Sequence, residues 1–293
     1  MSDLIKIAVD AMGGDGSPKK IIDGIILNHS NNKKNFFKIF GDKNLIAPII
    51  NKKIPQEFYE IIHTEKKIES TDSPLEGAKR GKHTSMWLAI QSVKDKDADI
   101  VISAGNTGAL LVVSKLNLKM IENIDKPALS ALWPNKKGMS VVLDLGANIE
   151  CNTKNLFDFS IMGASLYTSL YPSDKPNVAL LNIGSEELKG NETIKETYKL
   201  LNEKKSDNYN FAGYIEGNHL MDGEVNVIVS DGFTGNVALK TAEGTANFIT
   251  GELKNAMTGS LIGKISSLIN ISNLKKFKKR LDPRLYNGAI FIG

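Results

Sequence analysis

The sequence has only one cysteine and no long hydrophobic run. Because Cys151 is alone among 293 residues, an intrachain disulfide and a cluster of thiolate metal ligands are both excluded, which fits a reducing cytoplasm. The apolar run from Ala109 to Val113 is far too short to cross a bilayer, and the first apolar run begins almost at once, at Leu4. We therefore expect a protein that is neither secreted nor membrane-spanning.

The net charge is also small. A formal charge of +4 does not indicate a general nucleic-acid surface, so no nucleic-acid partner is predicted. Hydrophobic residues make up 41% and charged residues 24% of the chain, which argues against disorder. The length allows either one large α/β domain or two smaller ones. A hinge near residues 119–140 is one option, but a single α/β domain over 1–293 is the simpler prediction.

Several cofactor and catalytic motifs are missing. Lys19 stands where a dinucleotide fingerprint needs its third glycine, and Lys189-Gly190 reverses the Gly-Lys order of a P-loop. The four histidines are scattered without zinc spacing, and no Gly-x-Ser-x-Gly elbow occurs. The sequence therefore predicts neither a cofactor nor a metal.

Short apolar runs alternate with helical patterns along most of the chain. Such alternation predicts right-handed βαβ units, and hence an α/β fold with a Rossmann-like, mostly parallel sheet flanked by helices. The predicted strands are Leu4 to Val9, Phe36 to Phe40, Phe58 to Ile62, Ile100 to Ile102, Ala128 to Trp133, Val141 to Leu143, Val178 to Leu181 and Val225 to Val229. The predicted helices are Ile21 to Leu27, Met86 to Val93, Leu156 to Leu170, Thr193 to Leu201 and Val237 to Leu253.

Five of the strands end in polar turns that contain glycine. The turns are Asp10 to Pro18, Ser103 to Gly108, Asp144 to Asn148, Asn182 to Glu192 and Ser230 to Gly235. The carboxyl ends of parallel strands meet at one edge of a sheet, where ligands bind, so the repeated Asn, Asp, Thr and Lys favour a shared site. For any one turn, a tight connection without a ligand is the simpler interpretation.

Two of these turns share the pattern Ser-x-Gly-x-Thr-Gly, at residues 103–108 and 230–235. Glycine allows the backbone to approach a ligand closely, and the first turn of the next helix offers unpaired N–H groups. The pattern therefore predicts a phosphate-sized anion. In the first turn of the chain, Ser17 is predicted to cap a helix that starts at Pro18.

The segment 252–282 differs from the rest of the chain. Leu253, Met257, Leu261, Ile265 and Leu268 recur at helical spacing, and a basic cluster at 275–280 surrounds Phe277. The pattern predicts an amphipathic basic helical segment that lies on an anionic membrane or docks an acidic protein. Packing against the body or a second subunit is the alternative interpretation.

Six motifs in a fixed order carry a resemblance to a known family. They are Ala8 to Asp15, Ser103 to Gly108, Asp144 to Asn148, Leu181 to Gly184, Lys189 to Glu192 and Ser230 to Thr241, followed by Leu281 to Arg284 and Tyr286 to Ala289. From Lys6 to about Gly293 the chain resembles the bacterial phosphate acyltransferases of phospholipid synthesis, the PlsX family. That family is similar in fold to the phosphotransacetylases and the isopropylmalate-type dehydrogenases.

The resemblance implies transfer of a fatty acyl group from acyl carrier protein to inorganic phosphate, which forms an acyl phosphate. It also implies a homodimer. An acyl phosphate is hydrophobic and is best released at the membrane. We therefore expect a cytoplasmic protein that contacts the inner face of the anionic cell membrane reversibly. A downstream glycerol-3-phosphate acyltransferase is a further expected partner. Trp87 stands where the family usually has a basic residue, and we expect the chain to be C-terminally shortened relative to relatives that continue beyond Gly293.

The family motifs single out site residues for this reaction, which needs donors that hold phosphate and a donor aimed at the developing oxyanion. Lys189 is predicted to neutralise phosphate, and Asn236 to donate to the oxyanion or to the attacking oxygen. The alternatives are a solvated loop lysine and a helix cap. The other predicted phosphate- or substrate-binding residues are Gly13, Gly14, His83, Asn106, Thr107, Asn148 and Thr234.

Some of these residues also have a second interpretation. His83 is either a proton donor to the leaving thiol or a polar residue at a helix start. Asn148 and Thr234, together with Asp144 and Asp231, are also expected to shape their loops. Two other functions remain open for the whole chain: a short-chain phosphotransacylase that uses acyl-CoA, and a non-catalytic organiser that binds carrier protein or membrane.

Overall fold

A computed structural model describes residues 4–172, 175–281 and 288–293, except for the side chains of Arg80, Arg280 and Leu281. The chain divides into two units, Met1–Met120 and Ile121–Gly293. The single domain over 1–293 stays a prediction. Residues 282–287, which hold most of the last two family motifs and the end of the segment 252–282, lie outside the described residues.

Unit 1 has a four-stranded sheet in which every pair of neighbours is parallel. The strand order is β3-β2-β1-β4. The strands are β1 (Ile5–Asp10), β2 (Asn35–Gly41), β3 (Tyr59–His63) and β4 (Ile100–Ser103). The helices are α1 (Lys19–Asn31), α2 (Lys43–Ile50), α3 (Pro74–Arg80), α4 (Ser85–Lys94) and α5 (Thr107–Leu118).

Unit 2 has a six-stranded sheet with the order β10-β5-β6-β9-β7-β8. Among the described strands of this sheet, β5 pairs antiparallel with β6 and with β10, and the other neighbours pair parallel. The strands are β5 (Ala128–Pro134), β6 (Met139–Leu143), β7 (Asn177–Asn182), β8 (Asn210–Glu216), β9 (Val227–Val229) and β10 (Ile290–Ile292). The helices are α6 (Thr153–Leu170), α7 (Glu192–Glu203), α8 (Gly232–Thr258), α9 (Leu261–Ile269) and α10 (Ile271–Leu281).

The central strands of unit 2 are apolar on both faces, which is why they read as continuous apolar runs. In β6, Val141 and Leu143 pack in a cluster with Leu156 and Phe159 of α6. Val142, between them, packs in a different cluster that Leu239 of α8 also contacts. Successive side chains of a strand point to opposite faces, so helices must cover both sides of this sheet.

The predicted fold class is confirmed, and each predicted strand and helix overlaps an observed element. The strand predicted from Val225 is shorter and begins at Val227. The sequence patterns did not indicate four elements, namely α2, α3, β8 and β10, and they indicated α5 only as the helix that follows the turn 103–108. Pro48 lies inside α2, and Gly213 with positive φ lies inside β8, so both segments carry residues that argue against regular structure.

The predicted cap of α1 is wrong. The helix begins at Lys19, its N-cap is Pro18, and no side chain caps it. The Ser17 hydroxyl instead donates to the carbonyl oxygen of Gly13. Ser17 therefore stabilises the turn that precedes α1. A serine before a proline does not indicate this hydrogen bond, because the same pattern is also typical of a helix cap.

Helices α8, α9 and α10 include the predicted amphipathic segment. In α8, which has 27 residues, only Gly232 and Gly235 are buried. On α9, Leu261 and Ile262 are 80% and 79% exposed. Of the helices within the described residues, none has the length and hydropathy needed to cross a membrane.

Candidate functional site

In unit 1, a buried carboxylate joins the ends of two neighbouring strands. Asp10 ends β1 and pairs in register with Ser103, the last residue of β4. Its oxygens accept hydrogen bonds from the hydroxyls of Ser85 at 2.6 Å and Ser103 at 2.7 Å. Burial raises the pKa of Asp10, and the bonds from both serines oppose this shift. Asp10 therefore holds the turns that follow both strands.

The glycines of the first turn allow it to approach the turn after β4. A Cβ on Gly13 would lie 2.5 Å from Oδ2 of Asp10 and 2.8 Å from the amide nitrogen of Gly105. Gly14 has a φ of +87° and also packs against the turn after β4, at the carbonyl of Ala104. These contacts are within the protein, so packing of the two turns alone is sufficient to require glycine at both positions.

The side chain of Asn106 is fully used by the protein around it. Its Oδ1 accepts from the amide of Ala109 at 3.0 Å and caps α5, while its Nδ2 donates to the carbonyls of Asp72 at 2.8 Å and Ser70 at 3.3 Å. Thr107, the first residue of α5, is exposed. Of the two predicted phosphate ligands, Thr107 is thus the one whose side chain is open to solvent.

His83 is exposed and precedes α4. Its carbonyl oxygen accepts from the hydroxyl of Thr64 at 2.6 Å, and the next residue, Thr84, caps the helix through the amide of Trp87. No described residue forms a hydrogen bond with the imidazole of His83, which leaves the ring available to a ligand. The half-buried Trp87 packs against the cluster that contains Met86 and Ile90.

Unit 2 repeats the buried aspartate of unit 1. Asp144, directly after β6, is fully buried and accepts five hydrogen bonds. They come from the amides of Leu129, Gly146, Ala147 and Asn148 and from Nδ2 of Asn148, at 2.7–3.1 Å. One carboxylate thus fixes the whole turn that follows β6, as expected for a loop-shaping residue.

Asn148 joins this turn to two other segments. Its Nδ2 also donates to the carbonyl of Pro127 at 2.7 Å, and its own carbonyl accepts from the amide of Gly232 at 2.7 Å. A Cβ on Gly232 would lie 2.6 Å from that carbonyl oxygen. Asn148 therefore shapes the site, since its side-chain amide donates to the carbonyl of Pro127 and to the carboxylate of Asp144.

Asp231 caps α8 and also holds Thr234. The amide and the hydroxyl of Thr234 both donate to the Asp231 carboxylate, at 2.8 Å each. Both donors of Thr234 are therefore occupied, and a bound anion would have to displace Asp231 to receive them. The expected role in loop shaping accounts for these contacts better than a direct contact with phosphate.

Asn236 lies in the first turns of α8, behind the cap. Its Nδ2 donates to the carbonyl of Leu145 at 2.9 Å. An amide nitrogen carries two protons, so this contact orients the group and leaves one proton for a ligand. Asn236 is not the helix cap, because Asp231 has that position.

Lys189 is exposed on the loop that follows β7, and the loop itself is fixed. Nδ2 of the buried Asn182 donates to the carbonyls of Gly184 and Lys189, both at 3.1 Å. Gly190 has a φ of +93°, and a Cβ there would lie 2.5 Å from Oδ1 of Asn182. Within the described part of the chain, the ammonium group of Lys189 has no ion pair. The loop fixed by Asn182 therefore presents a lysine whose ammonium group has no ion pair within the described residues.

Three of the strand-following turns in unit 2 line a cavity of about 400 Å³. The residues that line it are Ile149, Glu150, Cys151, Leu156, Asn191, Thr193, Ile194, Asp231, Phe233 and Thr234. Burial and the nearby charge of Asp144 raise the pKa of the Cys151 thiol to about 11, so it is neutral at physiological pH. The parallel strands β6, β7 and β9 explain the convergence, because their carboxyl ends share one edge.

Several of these residues have no role that the sequence patterns indicate. Cys151 was considered only for disulfides and metals, and Asn182 only as part of a motif. Ile149 and Phe233 each interrupt a polar turn with an exposed apolar side chain, which is the signal that could have identified the cavity. Asp10, Ser85 and Ser103 are far apart in sequence, so nothing local indicates their hydrogen bonds.

The chain is similar to known proteins over its whole length. Residues 5–293 match the family described as "Fatty acid synthesis protein". Over its whole length the chain is 75% identical to the phosphate acyltransferase of Pelagibacter ubique and covers 88% of that protein. It is 42% identical to the phosphate acyltransferase of Maricaulis maris, of which it covers 84%.

Solved structures with a similar fold include two phosphotransacetylases. The enzyme from Streptococcus pyogenes has a TM-score of 0.62 at 14% identity, over 84% of this chain and 83% of that chain. The EutD phosphotransacetylase from Staphylococcus aureus has a TM-score of 0.60 at 15% identity, over 83% of both chains. At this identity, the likeness establishes the fold.

Proposed function

The chain belongs to the family of fatty acid synthesis proteins, and on that basis we propose that it is a phosphate acyltransferase. It transfers a fatty acyl group from the thioester of acyl carrier protein to inorganic phosphate. A phosphate oxygen attacks the thioester carbonyl, the carbon–sulfur bond breaks, and the thiol leaves with a proton. The products are an acyl phosphate and the free carrier thiol.

The free ammonium group of Lys189 within the described residues is the structural observation that supports this proposal. Phosphate is a nucleophile at neutral pH, so the protein has to position it and offset its charge as it approaches the carbonyl. An exposed lysine on a loop fixed by Asn182 suits that task, because its ammonium group forms no ion pair within the described residues. Lys189 therefore neutralises phosphate in our proposal.

Asn236 is the proposed donor to the oxyanion. The tetrahedral intermediate carries negative charge on the former carbonyl oxygen, and a preoriented N–H stabilises it. The hydrogen bond to the Leu145 carbonyl holds the amide in one orientation and leaves one N–H free. This supports the catalytic role over the role of a helix cap.

In unit 1, we assign the contacts with substrate to Thr107 and His83. Both side chains are exposed, whereas Asn106 uses all its polar atoms within the protein. Thr107 offers its hydroxyl at the start of α5, where the helix dipole favours an anion. His83 has a free ring that can give a proton to the leaving thiol. Gly13 and Gly14 support these groups through the packing of the turns.

The helices α9 and α10 are proposed to contact an anionic membrane from the cytoplasmic side. Five apolar side chains of α9 are 54–80% exposed, namely Leu261, Ile262, Ile265, Leu268 and Ile269. The described lysines of α10 add positive charge next to them. A homodimer is proposed from the family resemblance, and packing between two copies is the alternative use of this surface.

One assay tests the function and separates it from its alternatives. Purified protein is incubated with phosphate and either acyl-acyl carrier protein or the matching acyl-CoA, and acyl phosphate is measured. We expect a higher kcat/KM with the carrier protein. A preference for short-chain acyl-CoA would instead establish a phosphotransacylase, and no acyl phosphate from either donor would leave an organiser without catalytic activity.

A further inference from the structure

The cavity of unit 2 is lined by residues of the turns that follow β6, β7 and β9. We propose that it receives the hydrocarbon chain of the acyl donor, next to the carbonyl carbon. This inference rests on the proposed function and deepens it, since it assigns a place to the acyl group.

The walls of the cavity include two apolar side chains that are exposed to solvent. Ile149 and Phe233 are 72% and 63% exposed, although each lies on a turn that is otherwise polar. Leu156 and Ile194 provide a buried apolar surface behind them. A hydrocarbon chain in the cavity would cover all four side chains and remove both exposed ones from water.

The charged side chains that line the cavity disfavour phosphate as its occupant. Of the described residues that line it, none is a lysine, an arginine or a histidine, whereas Glu150 and Asp231 carry carboxylates. Asp231 already accepts two hydrogen bonds from Thr234, and Oδ1 of Asn191 accepts a hydrogen bond from the amide of Ile194. An anion would meet the repulsion of these two carboxylates without a basic side chain in the described lining to offset it, so the cavity suits an uncharged chain.

The cavity also lies close in sequence to the groups that are proposed to react. Asn191 is two residues from Lys189, and Thr234 is two residues from Asn236. A volume of about 400 Å³ is within the range of small-molecule sites, roughly 300–1,000 Å³. A chain held here would extend from a carbonyl carbon placed beside both side chains.

Cys151 provides a direct probe of occupancy, because it is the only cysteine and lines the cavity. The protein is treated with N-ethylmaleimide without phosphate, and labelling is followed by intact mass. S-dodecanoyl, S-hexanoyl and S-acetyl N-acetylcysteamine are compared as protecting ligands. At about ten times its dissociation constant, the dodecanoyl thioester should slow labelling about tenfold, whereas the acetyl thioester and phosphate should not.

The outcomes distinguish the possible occupants. Equal protection by the acetyl and dodecanoyl thioesters would place the cysteamine arm in the cavity and overturn the proposal. Absence of protection by any thioester would also overturn it. Neither result depends on turnover, so a failure of the acyl phosphate assay and a failure of this inference are separate observations.

A kinetic comparison tests the same point without the thiol. Phe233→Ala should lower the ratio of kcat/KM for dodecanoyl- over hexanoyl-acyl carrier protein about tenfold, because a longer chain has more contact to lose. Phe248→Ala is the matched control, since Phe248 is 70% exposed on the same helix but does not line the cavity. An equal ratio in both variants would overturn the proposal.

Discussion

At the scale of single residues, each unit has a buried aspartate at the end of a strand. Both aspartates hold the adjoining turns by accepting hydrogen bonds, but their hydrogen-bond donors differ. Asp144 accepts hydrogen bonds from four backbone amides and one side-chain amide, which satisfy its carboxylate fully. Asp10 has two serine hydroxyls and a more distant amide, that of Met12 at 3.3 Å. The two carboxylates therefore differ in how well the protein compensates their burial.

Substitution of the two proposed reacting side chains should abolish most of the activity. We expect Lys189→Ala and Asn236→Ala to lower kcat for acyl phosphate formation by roughly two to three orders of magnitude, as for a lost oxyanion donor. Asn236→Ala also removes the hydrogen bond to Leu145, which costs about 1 kcal/mol of stability. Acyl phosphate assays and thermal melts measure the two effects separately.

Lys199→Ala is the control for Lys189, because Lys199 is an exposed lysine on α7 that does not lie on the loop. It should retain the activity of the unsubstituted protein. Undiminished turnover in Lys189→Ala and Asn236→Ala, with unchanged melting temperatures, would remove both residues from the mechanism.

The raised pKa of Asp10 predicts how stability depends on pH. Burial holds the pKa of Asp10 in the folded state above that of an ordinary aspartate. The protonated form is favoured in the folded state, so this contribution to stability is full below the unfolded pKa and is lost as pH rises through the folded pKa. We expect Asp10→Asn to lack that loss, so its melting temperature relative to the unsubstituted protein should rise from pH 4 towards pH 7.

The comparison is read from the slope, since the asparagine also changes the bonds to Ser85 and Ser103 and shifts stability at every pH. Ser92→Ala, in the same unit, is a control without a carboxylate. A constant difference between Asp10→Asn and the unsubstituted protein over this range would contradict the raised pKa.

At the scale of elements, the helices that start at the turns of unit 2 have defined caps and well-packed beginnings. Asp231 caps α8 and Asn191 caps α7 through backbone amides. Past its first turns, α8 has no buried residue, and α9 exposes apolar side chains on its surface. Tertiary packing thus fixes the start of α8, while the helices after it present a surface suited to another molecule.

The apolar surface of α9 should be required for contact with membranes. Leu261→Glu combined with Ile265→Glu should release the protein from anionic liposomes and leave turnover with acyl carrier protein in solution largely intact. Lysines near an anionic surface contribute about 1 kcal/mol each, so binding should weaken as salt increases. Liposome flotation at low and high salt provides the measurement.

Leu27→Glu is the matched control, since Leu27 is 64% exposed on α1 in the other unit. It should float with the liposomes as the unsubstituted protein does. If the unsubstituted protein does not bind at low salt, or if the double variant binds equally well, then α9 is better interpreted as a surface between two copies of the chain.

At the scale of the whole molecule, each unit builds its site by the same arrangement of neighbouring parallel strands. In unit 1, Asp10 of β1 lies in register with Ser103 of β4. In unit 2, the amide of Asp144 donates to the carbonyl of Ser230, which follows the neighbouring β9. In both, a glycine-bearing turn and a helix follow the serine. The repeated sequence pattern is thus a repeated structural unit.

The predicted homodimer concerns the whole molecule and is tested by its mass in solution. Light scattering coupled to size exclusion should give twice the 32.0 kDa of one chain. Leu261→Glu with Ile265→Glu should leave this mass unchanged if α9 contacts membrane. A monomeric mass for the double variant would show that α9 holds the dimer together, and a monomer without substitution would contradict the prediction.

Much of the fold could be predicted because its signals are local. Apolar runs such as Val178 to Leu181, followed by amphipathic helices such as α7, identify βαβ units without knowledge of the partners. The missed elements lack such signals. In β8, strand pairing with β7 overrides the unfavourable Gly213, and β10 forms through antiparallel pairing with β5, about 160 residues earlier in the chain.

The sequence by itself determined the fold class, the order of the turns and the family, because periodicity and motifs are written along the chain. Only the tertiary structure decided what each side chain in the turns does. Asn106, Asn148 and Thr234 use their donors within the protein, while Lys189 keeps a free ammonium group in the described part of the chain. The cavity beside Cys151 likewise exists only where three strand ends meet. Hydrogen-bond partners and cavities depend on residues that are distant in sequence, and folding alone brings them together.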